Sequence, residues 1–145
     1  HRATVASYVE GTSRLFVGEA PEEPGFWYPC TLVEATNEDR VAREEVFGPV
    51  VSFLEADSLD GAIEAINASP YGNAASLYTS SGKAARDFRY RARAGSIGIN
   101  VGIAAAMAYF PFGGMKNSFF GDLHPQGRDA IRFFTESKVV ITRWV

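Results

Sequence analysis

Hydrophobic and polar positions along this chain follow two rhythms, and the switches between them mark the elements. Val5, Tyr8 and Val9 fall at helical spacing in the first ten residues. No capping residue or first turn precedes them, so the segment reads either as the tail of a helix in a chain that starts inside an element or as a disordered leader. Leu15-Phe16-Val17 is a short strand candidate, Ala20 to Gly25 a proline-bearing loop, and Phe26 to Val33 an extended segment. From Pro49 the pattern is regular. Val50 to Leu54 is a continuous β-branched and aromatic run, expected of a strand covered on both faces. Ser58 can cap a helix whose stripe is Leu59, Ala62, Ile63 and Ile66, ended by Pro70 and Gly72. Ala74 to Tyr78 is the next strand. Ser81-Gly82 opens a second helix, with Ala84, Ala85, Phe88 and Ala92 inside, four arginines mostly outside, and Gly95 as its stop.

Ser96 to Val101 is a third strand, so the middle of the chain runs strand, helix, strand, helix, strand. That order predicts an α/β fold, a parallel open sheet with flanking helices and right-handed crossovers. Gly102 to Phe120 is rich in glycine, alanine and aromatics without a period, which suggests a segment that lines something rather than faces only water. A late helix is expected over Gln126 to Phe134 and a last strand over Lys138 to Trp144. There is no internal repeat.

Composition narrows this picture. At 145 residues the chain can bury roughly 70% of its unfolded surface, so one domain, 1–145, is expected. Hydrophobic residues make up 46% and charged residues 21%, the balance of a folded rather than a disordered chain. A formal net charge of −3 gives no overall attraction for nucleic acid or an anionic membrane. No apolar run reaches membrane-spanning length, and a single cysteine, Cys30, permits no internal disulfide. A cytoplasmic protein is the expectation.

Two loops could carry chemistry. In Arg43-Glu44-Glu45-Val46-Phe47-Gly48-Pro49-Val50 two acids precede an aromatic, a glycine and a proline at a strand entry. It is either a ligand loop, as strand ends in α/β sheets often are, or a turn with solvated acids. Pro111 to His124 carries Gly113-Gly114 and Lys116 but lacks the spacing of a phosphate-binding loop. His124 could exchange protons near neutrality, although a lone histidine is more often a structural hydrogen-bonding group. Cys30 lies in an expected strand with no activating neighbour in sequence, which points to buried packing. Gly95, Gly98 and Gly102 do not form a dinucleotide fingerprint.

Taken together, Glu44 to Val50 and Pro111 to Lys116 resemble the E-E-x-F-G-P and P-F-G-G-x-K motifs of NAD(P)-dependent aldehyde dehydrogenases. Pro70 to Asn73, the strand to Tyr78 and Gly95 to Asn100 match that family in order and spacing. The resemblance covers nearly the whole chain and is weakest in the first 25 residues. Ser118 to His124, and the end Arg132 to Thr135 with Lys138 to Val140 and Arg143-Trp144, are similar to the CoA-acylating methylmalonate-semialdehyde branch.

The resemblance implies site residues and limits. Glu45 matches the glutamate that holds the hydroxyls of the nicotinamide ribose, and Phe47 the aromatic beside that ribose. Val101 to Phe112 matches the border of the substrate pocket. The catalytic cysteine, oxyanion asparagine, general-base glutamate and cofactor domain lie upstream in the family, too far for Cys30 to be that cysteine, so no catalytic residue is assigned. A partial catalytic domain is implied, inactive alone, from an enzyme using NAD and coenzyme A on a small aldehyde. Residues 138–145 match a strand that reaches a neighbouring subunit, so a homo-oligomer is expected. The other readings are a non-enzymatic assembly module with this fold, or part of another aldehyde dehydrogenase branch.

Overall fold

A computed structural model describes all 145 residues. The chain divides into two compact units, His1–Ala65 and Ile66–Val145. In the first, α1 (Arg2–Val9) leads to β1 (Ser13–Val17), β2 (Thr31–Glu34), α2 (Arg40–Arg43) and β3 (Val50–Phe53). β1 pairs antiparallel with β2, with an irregularity between Arg14 and Phe16, and β2 pairs parallel with β3 from Thr31 opposite Val50 to Glu34 opposite Phe53. The core is Val9, Val33, Ala35 and Val41, with Tyr8, Tyr28, Ala42, Val46, Val50 and Leu54 packed around it.

α3 (Leu59–Ala68) starts where Ser58 Oγ accepts from the Gly61 amide at 3.1 Å, and its stripe is anchored by buried Ile63. In the second unit β4 (Tyr71–Gly72) pairs antiparallel with β7 (Met115–Lys116), and β5 (Ala74–Leu77) pairs parallel with β6 (Ser96–Ile99) through the crossover helix α4 (Gly82–Arg91). Ser81 caps α4, its Oγ accepting from the Ala84 amide at 3.2 Å, and Phe88 is buried while Arg86, Arg89, Arg91 and Arg93 are exposed. α5 (Gly127–Phe133) is the last element. The mixed α/β class and the parallel pairing follow the sequence pattern, with the strands distributed over one sheet of three and two of two.

Several expectations change. β3 is covered on one side only: Val50 and Ser52 are half-buried, whereas Val51 is 63% and Phe53 44% exposed. The extended segment from Phe26 forms a ladder only from Thr31, and Cys30, just outside it, is exposed rather than packed. α4 stops at Arg91, with Ala92 already extended (φ −72°, ψ 126°), three residues before Gly95. Lys138 to Trp144 has no strand partner within the chain, and Val139, Val140, Ile141 and Trp144 are exposed. The short β4/β7 pair and α2 have no sequence signal of their own. No helix is long and apolar enough to cross a membrane.

Candidate functional site

The acidic loop after α2 sorts its side chains in two directions. Asp39 fixes the start of α2, its carboxylate accepting from the Thr36 amide at 2.6 Å and the Thr36 hydroxyl at 2.8 Å, bonds that hold its pKa below the usual carboxylate range. Past the helix, Glu44 is extended (φ −113°, ψ 152°). Its Oε2 accepts from the Tyr8 hydroxyl at 2.8 Å and from Arg40 Nε at 3.0 Å, while the Arg40 guanidinium lies 3.9 Å from the centre of the Tyr8 ring. The Tyr8 hydroxyl first, then the guanidinium, draws the Glu44 pKa down, and the same bond raises that of Tyr8. Val46 packs on the core. Glu45 and Phe47, between and beyond these anchored residues, face outward, and Phe47 is 79% exposed.

Phe47 holds a left-handed backbone conformation, φ 51°, which a bulky residue rarely adopts. Its carbonyl accepts a hydrogen bond from His1 Nε2 at 2.8 Å. An uncommitted carboxylate and an exposed apolar ring thus stand two residues apart on a loop whose other side chains are tied down. That pair of groups fits a sugar: a carboxylate accepts from two vicinal hydroxyls, and a ring beside it contacts the sugar without competing for them. The sequence picked out Glu45 and Phe47. It gave no sign of His1, Tyr8 or Arg40, since a helix-spaced tyrosine is ordinarily read as core.

The second motif has a different role. Lys116, at φ 56°, points its ammonium at the carbonyls of Ile66, Asn67, Ser69 and Tyr71, at 3.0, 3.3, 2.9 and 3.1 Å. It thereby satisfies acceptors at the carboxyl end of α3, where a cation is also favoured by the helix dipole. Burial, then the charge of Arg93, lowers its pKa. The glycines allow backbone to meet backbone: a Cβ on Gly95 would run into the Gly113 carbonyl and lie 2.8 Å from Gly114 Cα, and one on Gly72 would lie 2.6 Å from the Arg93 carbonyl oxygen. Pro70 to Asn73, Arg93 to Ser96 and Gly113 to Ser118 are therefore one joint, closed by the Gly95 amide on the Gly72 carbonyl at 2.9 Å and the Gly72 amide on Ser118 Oγ at 3.0 Å.

His124 belongs to the same packing. Its ring stacks on Phe119 at 4.2 Å between centroids, and Nδ1 lies 3.3 Å from Asp129 Oδ2 rather than bonding Asp122. A Cβ on Gly113 would collide with that ring. These contacts are those of a histidine that packs and hydrogen-bonds within the fold.

Comparison with known proteins bears on the whole chain. The model of the aldehyde dehydrogenase family matches residues 1–140. The chain belongs to this family. It is 43% identical to malonate-semialdehyde dehydrogenase 1 of Geobacillus kaustophilus, over 99% of its own length and 31% of that protein's. Among solved structures it resembles the methylmalonate-semialdehyde dehydrogenase of Oceanimonas doudoroffii (TM-score 0.91, 35% identity, 100% of this chain and 32% of that one). It equally resembles a Sinorhizobium meliloti 1021 protein assigned to that enzyme class and solved with NAD (TM-score 0.91, 32% identity, 99% and 31%). The chain thus spans about a third of the length of the aldehyde dehydrogenases it matches.

Proposed function

We propose that this chain is the carboxy-terminal part of an NAD-dependent, CoA-acylating methylmalonate- or malonate-semialdehyde dehydrogenase, in which its first unit forms one wall of the cofactor site. The observation that carries the reading is the pair Glu45 and Phe47: an exposed carboxylate and an exposed ring on a loop whose other residues are anchored. Glu45 accepts hydrogen bonds from the two hydroxyls of the nicotinamide ribose, and Phe47 packs beside that sugar. When bound there, NAD supplies the hydride acceptor for oxidation of the aldehyde. The chain's own contribution is orientation, because hydride transfer depends on how the ring is held relative to the substrate.

The nucleophilic step belongs to residues outside this chain. Val101 to Phe112, largely exposed and without regular structure, borders the substrate pocket, and coenzyme A accepts the acyl group. The exposed apolar tail, 138–145, pairs with the sheet of a neighbouring subunit, which makes the enzyme a homo-oligomer and supplies the ladder partner that the tail lacks here. Its setting is the cytoplasm. The test is an assay of the complete gene product with NAD, coenzyme A and either semialdehyde, beside the 145-residue chain. Turnover by the complete protein and none by the chain is expected. A complete protein that oxidises neither semialdehyde overturns the reading.

A further inference from the structure

His1, Val5 and Tyr8 stand four and three residues apart, the spacing that returns to one side of an α-helix. Each meets a different residue of the loop from Glu44 to Gly48. His1 Nε2 donates to the Phe47 carbonyl at 2.8 Å, and the Tyr8 hydroxyl donates to Glu44 at 2.8 Å. Val5, 2% exposed, lies so close to Gly48 that an added Cβ there would be 2.8 Å from its Cγ2 and 3.0 Å from its Cγ1. Val46 is held independently by the core. Four of the five loop residues are therefore fixed, and the remaining one is Glu45.

We infer that His1, at the cap of α1, together with Val5 and Tyr8 on the helix, is a positioning element for the Glu45–Phe47 loop, setting it for the nicotinamide ribose before the cofactor arrives. The inference rests on the ribose reading above and adds to it the residues that hold the loop. Two features need such an element. Phe47 at φ 51° is in a conformation that persists only where surrounding contacts over-determine it, and the His1 bond on its carbonyl together with the Val5–Gly48 contact supply those contacts. Glu44 and Glu45 are adjacent carboxylates, and tying Glu44 to Tyr8 and Arg40 leaves Glu45 as the one directed at a ligand. A loop ordered in the free protein loses less conformational freedom on binding, so loosening it weakens affinity without removing any contact to the ligand. His1 and Tyr8 are thus positioning residues.

The experiment uses the dehydrogenase containing this segment, with Tyr8→Phe and His1→Ala, and reads three quantities. These are hydrogen exchange of the peptide 43–49, the Kd for NAD, and the Kd for ADP, which has the adenosine and pyrophosphate of NAD but no nicotinamide ribose. Faster exchange of 43–49, an NAD Kd raised about 5- to 10-fold for the loss of one hydrogen bond, and an unchanged ADP Kd are expected. Glu44→Gln, which keeps an oxygen for the Tyr8 hydroxyl, should weaken NAD less than Glu44→Ala. Unchanged exchange and NAD affinity in both variants overturn the inference and leave the Glu45 reading intact. Equal weakening of NAD and ADP also overturns it, since that reports a general structural defect. A Glu45→Ala protein that binds NAD as tightly as the wild type overturns the ribose reading itself, whatever the Tyr8 and His1 variants show.

Discussion

Asn67 holds the main chain at Arg93 from the end of a different helix: its side-chain oxygen accepts from the Arg93 amide at 2.7 Å, and its side-chain nitrogen donates to the Arg91 carbonyl at 2.8 Å. One amide thus satisfies a donor and an acceptor where α4 unwinds, which is why the helix ends at Arg91 and not at Gly95. Asn67→Ala removes both bonds and should cost about 1–2 kcal/mol in urea unfolding. Asn67→Asp, which keeps the acceptor and loses the donor, should fall between the two. A loss below measurement error for Asn67→Ala would refute this account of the helix end.

Glycine to alanine should act with opposite sign at two positions. At Gly95 the added Cβ meets the backbone of Gly113 and Gly114, which cannot move without opening the joint, so a loss of about 3 kcal/mol or more is expected. At Gly61 in α3 the nearest atom is Ser58 Oγ at 3.5 Å, and alanine should stabilise by about 0.5–1 kcal/mol through helix propensity. Thermal midpoints of the two variants check the pair together.

Lys116→Met keeps most of the stem and removes the ammonium from four carbonyls. A loss of about 2 kcal/mol is expected, in the range for hydrogen bonds to a charged group. Lys116→Arg should not restore it, because a planar fork cannot aim at acceptors converging on one point. Full rescue by arginine would contradict the geometry.

The Tyr8–Glu44 bond gives a pH signature with a definite sign. The folded Glu44 pKa is lowered, so its contribution to stability is complete above the unfolded pKa and disappears as pH falls through the folded one. Tyr8 is raised, so its contribution is complete below its unfolded pKa and disappears as pH rises through the folded one. The stability gap between wild type and Tyr8→Phe should be widest near neutrality and narrow at both extremes. Thermal midpoints across the acid and alkaline limbs would show it, and a gap independent of pH would count against the bond.

The parts legible in sequence were those decided by neighbours. Ser58 and Ser81 cap the helices they precede because the cap bond spans three residues, and the stripes around Ile63 and Phe88 are set by helical period. What could not be read depends on distant partners. Tyr8 finds Glu44 from 36 residues away, and Lys116 finds carbonyls from 45 to 50 residues before it, so neither role has a local pattern. The apolar run at Val50 suggested cover on both faces, but exposure of Val51 and Phe53 depends on what lies across the sheet, which a strand's own residues do not specify. For Glu45 and Phe47 the motif supplied candidates, and the structure adds why their side chains are free.

The proposed hold of Glu45 on the nicotinamide ribose is tested most directly by the affinity of the complete protein for NAD with Glu45→Ala. Glu45 is exposed and supports no other residue, so the variant should fold as the wild type does. With two charge-assisted hydroxyl bonds lost, the Kd for NAD should rise about 10- to 100-fold while that for ADP stays within about twofold. An NAD affinity equal to that of the wild type would contradict the account.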